Sequence, residues 1–167
     1  MRQPLAIIAL GSNLGDSRRQ VASAIQRLQA LSREPLLQSS FWQTTPVDCP
    51  PGSPPFVNAA VGLVPLPGES PESLLAKLQA LEREFGRPPK RFVNEPRPLD
   101  LDLISFGRER RATPELSLPH PRAHQRRFVL EPLSEIVPEL VLPGQDRTVA
   151  DLLADLPADP HMSRLPK

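Results

Sequence analysis

The sequence predicts an α+β fold, a ferredoxin-like β-α-β-β-α-β core: a mainly antiparallel four-stranded sheet, both helices on one face, with C-terminal additions. Three observations carry this. Apolar segments follow one another in the order strand, helix, strand, strand, helix, strand, the split β-α-β pattern. The two helical segments keep a 3.6-residue apolar period between recognisable end signals. And 167 residues suffice for one domain with a sizeable core. The expected domain is 1–167, with a core of about 5–155 and a disordered tail at 157–167, where prolines recur near the terminus.

The first strand is the apolar run Leu5 to Leu10, followed by a turn over Gly11-Ser12-Asn13-Leu14-Gly15-Asp16. Ser17, with Gln20 three residues on, predicts a capping box. Val21, Ala24, Ile25, Leu28 and Leu31 then keep helical spacing, so 18–32 is an amphipathic helix. Residues 36–45 favour a strand ending near Thr44-Thr45-Pro46, and Phe56 to Val64 another. Ser70 suits a cap, Pro71 a first helical position and Gly86 a helix end. Between them Leu74, Leu75, Leu78, Leu81 and Phe85 form the apolar stripe, with Gln79 and Glu82 on another face. The loop 87–98 leads into a strand over 99–106. Beyond it the pattern is less regular, until Thr148 caps a last helix, Val149 to Leu156.

Composition excludes several classes. No run of 18 apolar residues exists, so no membrane span is expected. The N-terminal run lacks a signal-peptide cleavage site and reads as a strand. The single cysteine, Cys49, rules out an internal disulfide framework and reads as an incidental loop thiol, which fits a reducing, cytoplasmic setting. A net charge of +1 gives no case for nucleic-acid binding. Only Lys77, Lys90 and Lys167 are lysines among the 20 basic residues. Arg87, Lys90, Arg91 and Arg97 cluster before the 99–106 strand, and Arg122, Arg126 and Arg127 after it. The 23 prolines gather at 46–55, 65–71 and 88–98, as stiff loop punctuation within one domain.

The stretch from Arg97 to Ile104 is where chemistry enters. Asp100 and Asp102 stand two apart in an otherwise apolar strand, so they project from one face roughly 7 Å apart. Carboxylates held that close beside a core need a cation, a proton or an arginine. Two readings are open: solvated or Arg97-paired carboxylates, or a divalent metal site, for which oxygen-only ligands favour Mg²⁺. A metal that bridges phosphates would account for both the acidic pair and the basic surround. The glycine turn at 11–16 has the strand-to-helix placement of a phosphate loop but neither a lysine nor a phosphate-loop spacing, and reads as a plain turn. His120 sits in the rigid turn Leu118-Pro119-His120-Pro121 and, with Arg126, offers donors to a phosphate. No His/Cys group has zinc-like spacing. Phe56 and Phe128 flank loops; packing is their default role, stacking on a flat ring the alternative.

Taken together, Leu10-Gly11-Ser12-Asn13-Leu14-Gly15, Phe56-Val57-Asn58-Ala59-Ala60-Val61, Pro96-Arg97-Pro98-Leu99-Asp100-Leu101-Asp102-Leu103, Leu118-Pro119-His120 and Arg126-Arg127-Phe128-Val129-Leu130-Glu131-Pro132-Leu133 resemble the 6-hydroxymethyl-7,8-dihydropterin pyrophosphokinase family. The resemblance covers roughly residues 5–155. It implies transfer of pyrophosphate from ATP to the hydroxymethyl group of the reduced pterin, with release of AMP, in folate biosynthesis. It further implies a monomer with two Mg²⁺ ions held by Asp100 and Asp102, and ATP and the pterin as its partners. By position, Gln79, Glu82, Arg87, Arg97, Leu103, Ser117, His120 and Arg126 would meet ATP, Arg87 and Arg97 acting with the aspartates in catalysis. Thr44, Val47, Phe56, Asn58 and Phe128 would meet the pterin. Asn94-Glu95 stands where many members have Trp-Gly, Pro89 where many have a second loop arginine, and Phe56 where a tyrosine is common. Two rivals keep the same motifs: another Mg²⁺-dependent phosphotransferase or nucleotidyltransferase built on Asp-x-Asp, and a pterin-binding ferredoxin-like module without turnover.

Overall fold

The computed structural model describes residues 4–45, 52, 54–86 and 98–166. Its strands are β1 (Ala6–Ser12), β2 (Leu37–Gln38), β3 (Trp42–Thr44), β4 (Phe56–Leu63), β5 (Asp100–Phe106), β6 (Arg111–Ala112), β7 (Ser117–Leu118) and β8 (Met162–Arg164). Its α-helices are α1 (Ser17–Gln29), α2 (Pro71–Glu84), α3 (Arg127–Ile136) and α4 (Val149–Asp155). The main sheet runs β5-β1-β4-β3-β8, with β2 also paired to β4, and every pairing in it is antiparallel. Its central order is that of the split β-α-β core.

Strand alternation sorts the side chains into two layers. Ala6, Ile8 and Leu10 of β1, Val57, Ala59, Val61 and Leu63 of β4, and Leu101 and Leu103 of β5 face α1 and α2. Ile7, Ala60 and Ile104 face the other way, where α3 and α4 bring Val129, Leu130, Leu133 and Val149 onto them. Helices on both faces explain why β4 is buried from Val57 to Leu63. A register shift between Ile7 and Ile8 puts a bulge in β5 near Ile104. The carbonyl of Ile104 takes the His120 amide at 2.8 Å, which docks the turn after β7 on the outer edge of β5. That turn contains a cis Leu118–Pro119 bond.

Several expectations change. The N-cap of α1 is Asp16, whose side chain accepts from the Arg19 amide, and no Ser17–Gln20 box forms. Gln20 instead donates to the Leu14 carbonyl at 2.6 Å and to Ser12 Oγ at 3.3 Å, under the turn that Gly15 makes at φ +77°. Gly11 and Ser12 belong to β1, not to that turn. The strand expected over 36–45 splits into β2 and β3, because Ser39 Oγ takes the Ala60 amide in place of a main-chain partner. α2 matches its signals: Ser70 caps it reciprocally with Ser73, and Pro71 opens it. α3 was not foreseen. Its interior Pro132 reads as a breaker, yet Val129, Leu130 and Leu133 bury it on the sheet. The tail expected to be disordered forms β8 instead, with Thr45 and Leu165 amides bonding the His161 and Phe41 carbonyls.

Candidate active site

Among the described residues, the layer made by α3 and α4 packs on Ile7, Ala60 and Ile104. Beyond Ile7 and Ile104 the register places Gly11 opposite Asp100 and Ala9 opposite Asp102, on adjacent strands. On its other side Gly11 faces Asn58, and Asn58 faces Trp42. A row Asp100–Gly11–Asn58–Trp42 therefore crosses four strands. Paired residues share a face, so all four project the same way. Two strand steps separate Asp100 from Asn58, about 10 Å. Gly11 and Ala9 leave the floor between them nearly bare. A Cβ built on Gly11 would stand 3.3 Å from Asn58 Oδ1.

At the aspartate end a cavity of about 480 Å³ is lined by Leu75, Gln79, Glu82, Asp100, Leu101, Asp102, His120 and Arg126. An adjoining cavity of about 280 Å³ shares Leu75, Leu101, Asp102 and His120 and adds Leu103, Ser117 and neighbours from 114–121. β5 is an edge strand, and α2 reaches around that edge. Glu82, only 8% exposed, accepts the Leu101 amide at 2.8 Å through Oε2, so it satisfies an edge donor while standing beside the aspartates.

His120 is half-buried, and burial holds its imidazole below the usual histidine range; the Arg126 and Arg122 charges push the same way, against Asp100. At neutral pH it is therefore uncharged. Its Nδ1 accepts the Arg122 amide at 3.2 Å, which leaves the proton on Nε2 as a donor. The Arg126 guanidinium lies over the Phe128 ring, 5.5 Å from its centroid. At the other end of the row Asn58 is 6% exposed and donates to Thr44 Oγ1 at 2.9 Å. That bond leaves Asn58 Oδ1 facing Gly11. Phe56 is half-buried opposite Thr44, on the same face.

Of the residues expected at a site, Gln79, Glu82, Asp100, Asp102, Leu103, Ser117, His120 and Arg126 all line the two joined cavities. Thr44, Phe56 and Asn58 form a second group on the same sheet face, and Phe128 meets the first group through Arg126. Arg87, Arg97, Val47, Pro89, Asn94 and Glu95 lie outside the described residues. Sequence reading missed Trp42 and the open floor at Gly11. The Trp-x-Thr spacing, which puts Trp42 and Thr44 on one face, was the available signal.

The donor set can be tested against a divalent metal. Asp100 and Asp102 are hard carboxylate oxygens on one face of one strand, at the mouth of a polar cavity. Among the described residues no group of three or more His, Cys, Asp and Glu side chains is placed to hold a metal. The two carboxylates fit Mg²⁺, which is commonly held by one or two carboxylates with substrate phosphates completing its shell.

The sequence profile of the 7,8-dihydro-6-hydroxymethylpterin-pyrophosphokinase (HPPK) family matches residues 7–138. The chain is 38% identical over 161 residues to a 2-amino-4-hydroxy-6-hydroxymethyldihydropteridine pyrophosphokinase from Haemophilus influenzae, covering 96% of this chain and 97% of that one. The protein of the same name from Pseudomonas aeruginosa is 37% identical, with 95% of each chain covered. Among solved structures, a Plasmodium falciparum HPPK-DHPS chain superposes with a TM-score of 0.74 at 13% identity, over 98% of this chain and 49% of that one. An HPPK-DHPS crystallised in complex with substrates gives 0.71 at 10% identity, over 98% and 47%. The chain thus spans about half the length of those solved chains, and at these identities they speak for the fold alone. No helix among the described residues is long and apolar enough to cross a membrane.

Proposed function

The chain belongs to the 7,8-dihydro-6-hydroxymethylpterin-pyrophosphokinase family, and from that premise we propose that it transfers pyrophosphate from ATP to the hydroxymethyl group of 6-hydroxymethyl-7,8-dihydropterin, releasing AMP. The observation that carries the reading is the row across the sheet. It sets a carboxylate pair at one end, a buried amide reader at the other, and a floor without side chains between them.

The residues divide the work. Asn58 Oδ1 and the hydroxyl of Thr44 present polar atoms to the edge of a flat heterocycle, and Phe128 and Phe56 offer ring faces. His120 donates through Nε2 and Arg126 by its guanidinium to phosphate oxygens. The smaller cavity, with Leu103 and Ser117, accepts the nucleoside. Asp100 and Asp102 would hold Mg²⁺, as two ions, which when bound neutralises charge on the phosphates. Arg87 and Arg97, outside the described residues, add cations on sequence grounds. The pterin hydroxyl then faces the β-phosphorus for in-line attack, with AMP leaving on the opposite side. Such a transfer asks for positioning and charge neutralisation more than covalent chemistry, so no side-chain base is assigned.

The test is one assay: purified protein, ATP, Mg²⁺ and the pterin alcohol, with AMP and ADP resolved. AMP formed in equal amount to pterin pyrophosphate, and abolished by EDTA, is the expected result. ADP as product, or turnover independent of the pterin, overturns the reading.

A further inference from the structure

We propose that Glu135 is a positioning residue for the pterin: it fixes α3 to the strand that carries Thr44 and so sets the gap between Phe128 and the Asn58–Thr44 pair. The inference rests on the reading above that these residues take the pterin.

Glu135 lies on the last turn of α3 and is exposed. An exposed carboxylate is ordinarily solvated. This one receives three donors from the chain at and just before β3. Its Oε1 accepts the Trp42 indole N–H at 2.7 Å and the Ser40 amide at 3.2 Å, and its Oε2 accepts the Ser40 hydroxyl at 2.8 Å. More than ninety residues separate these partners in sequence, so the contact is purely tertiary. An indole N–H can only donate, and hydrogen bonds to a charged acceptor are the stronger kind.

The geometry links this grip to the ligand groups at both ends. Trp42 is the register partner of Asn58, and the hydroxyl of Thr44, two residues on, accepts the Asn58 side-chain amide. Along α3, Phe128 and Glu135 are seven residues apart. Seven residues are close to two full turns, so both project from one side of the helix, about 10 Å apart along its axis. The rest of α3 meets the sheet through Val129, Leu130 and Leu133. Apolar packing is driven by a non-directional force. Pro132, between the two residues, also removes the amide that would bond the Phe128 carbonyl. The three bonds at Glu135 are thus the directional tie of the far end of α3 to β3, as the bonds of Arg127 to the Leu156 and Pro157 carbonyls are at the near end. Together they fix how α3 presents Phe128.

The experiment compares Glu135→Ala, Glu135→Gln, Trp42→Phe and the Glu135→Ala/Trp42→Phe double variant with the parent chain. Readouts are KM for the pterin, KM for ATP, kcat and melting temperature. Trp42 is the only tryptophan, so its emission reports the state of the contact directly. The expected result is a pterin KM raised about tenfold in Glu135→Ala, the scale of one hydrogen bond to a charged group. The ATP KM should hold, Gln should recover most of the loss, and the double variant should be no worse than Glu135→Ala. An unchanged pterin KM, or pterin and ATP affinities falling together, overturns the proposal, whatever happens to the melting temperature. Should Glu135→Ala not fold, Trp42→Phe probes the same contact, and a parent-like pterin KM there counts against it. If the parent chain itself makes no AMP from the pterin alcohol, it is the functional reading that fails, and the parent arm shows this separately.

Discussion

The two faces of the sheet are built from the same strands and do opposite things. Under α1 and α2 the layer is mainly apolar and closes over Ile8, Leu10, Val61, Leu63 and Leu103, with the buried Ser12 at the end of β1. On the other face α3 and α4 close over Ile7, Ala60 and Ile104, with Leu5 and Ala9 at the margin. One step further along the same strands stand Ala9, Gly11, Asn58, Asp100 and Asp102. Because strand side chains alternate, Leu101 is a core residue while Asp100 and Asp102 on either side of it are presented to a cavity. The site is where the second helical layer stops. The first face supplies stiffness, and the second combines a smaller core with polar groups held by it.

The largest expected effects come from crossing a substitution on each face. Asp102→Ala should lower kcat/KM by about 10²–10³ or more, the scale of removing a charge-stabilising group, while the melting temperature stays near that of the parent. Leu78→Ala, on fully buried α2 surface, should cost about 2–5 kcal/mol of stability and leave kcat per folded molecule unchanged. Denaturant melts and steady-state kinetics on the same preparations decide it. If Asp102→Ala keeps near-normal turnover, the carboxylate pair is not the metal anchor. If Leu78→Ala loses kcat in proportion to stability, the faces are not separable.

How legible each face was follows from the same contrast. α1 and α2 showed in the sequence because their apolar stripes are long, and the ends of α2 are marked by Ser70, Pro71 and Gly86. α3 did not, because Pro132 interrupts a short pattern whose burial is supplied by the sheet. β8 did not, because three residues carry no period and pair only with β3. In the site, alternation alone put Asp100 and Asp102 on one face, and Gln79 and Glu82 fell off the apolar stripe of α2. Their convergence, with His120 and Arg126, came from motif spacing shared with a family. Neither route could give the Leu101 amide bond to Glu82, which requires β5 to be an edge strand. Nor could they pair Trp42 with Glu135, which no local pattern connects.

The bare floor between the aspartates and Asn58 offers an intermediate effect. Gly11 has no unusual backbone demand, so what it contributes is the space above it. In Gly11→Ala the added carbon meets Asn58 Oδ1 at 3.3 Å, and the buried amide must yield by tenths of an ångström. The pterin KM should rise about three- to tenfold, an overpacking cost near 1 kcal/mol, while the ATP KM and melting temperature change little. An ATP KM that rises equally would mean that the two ends of the row are not distinct subsites. A parent-like pterin KM would mean that the ring does not lie over Gly11.

The smallest effect concerns His120, which separates the faces by pH. Its folded pKa lies below the ordinary value of 6.5, chiefly through burial and then through Arg126. As pH falls through 6.5 the unfolded chain takes a proton that the folded chain resists. The stability tied to the neutral imidazole is therefore complete above the unfolded value and lost as pH falls toward the folded one. Urea melts without divalent cations, between about pH 7.5 and pH 5, should show a shallower loss for His120→Gln than for the parent. Asp100 opposes the shift, so Asp100→Asn should lower the folded pKa further and extend the sloping region to lower pH. Parallel slopes for parent and His120→Gln would show that the imidazole titrates freely and is not held neutral by the cavity wall. A slope unchanged in Asp100→Asn would show that the aspartate and the histidine do not share one electrostatic site.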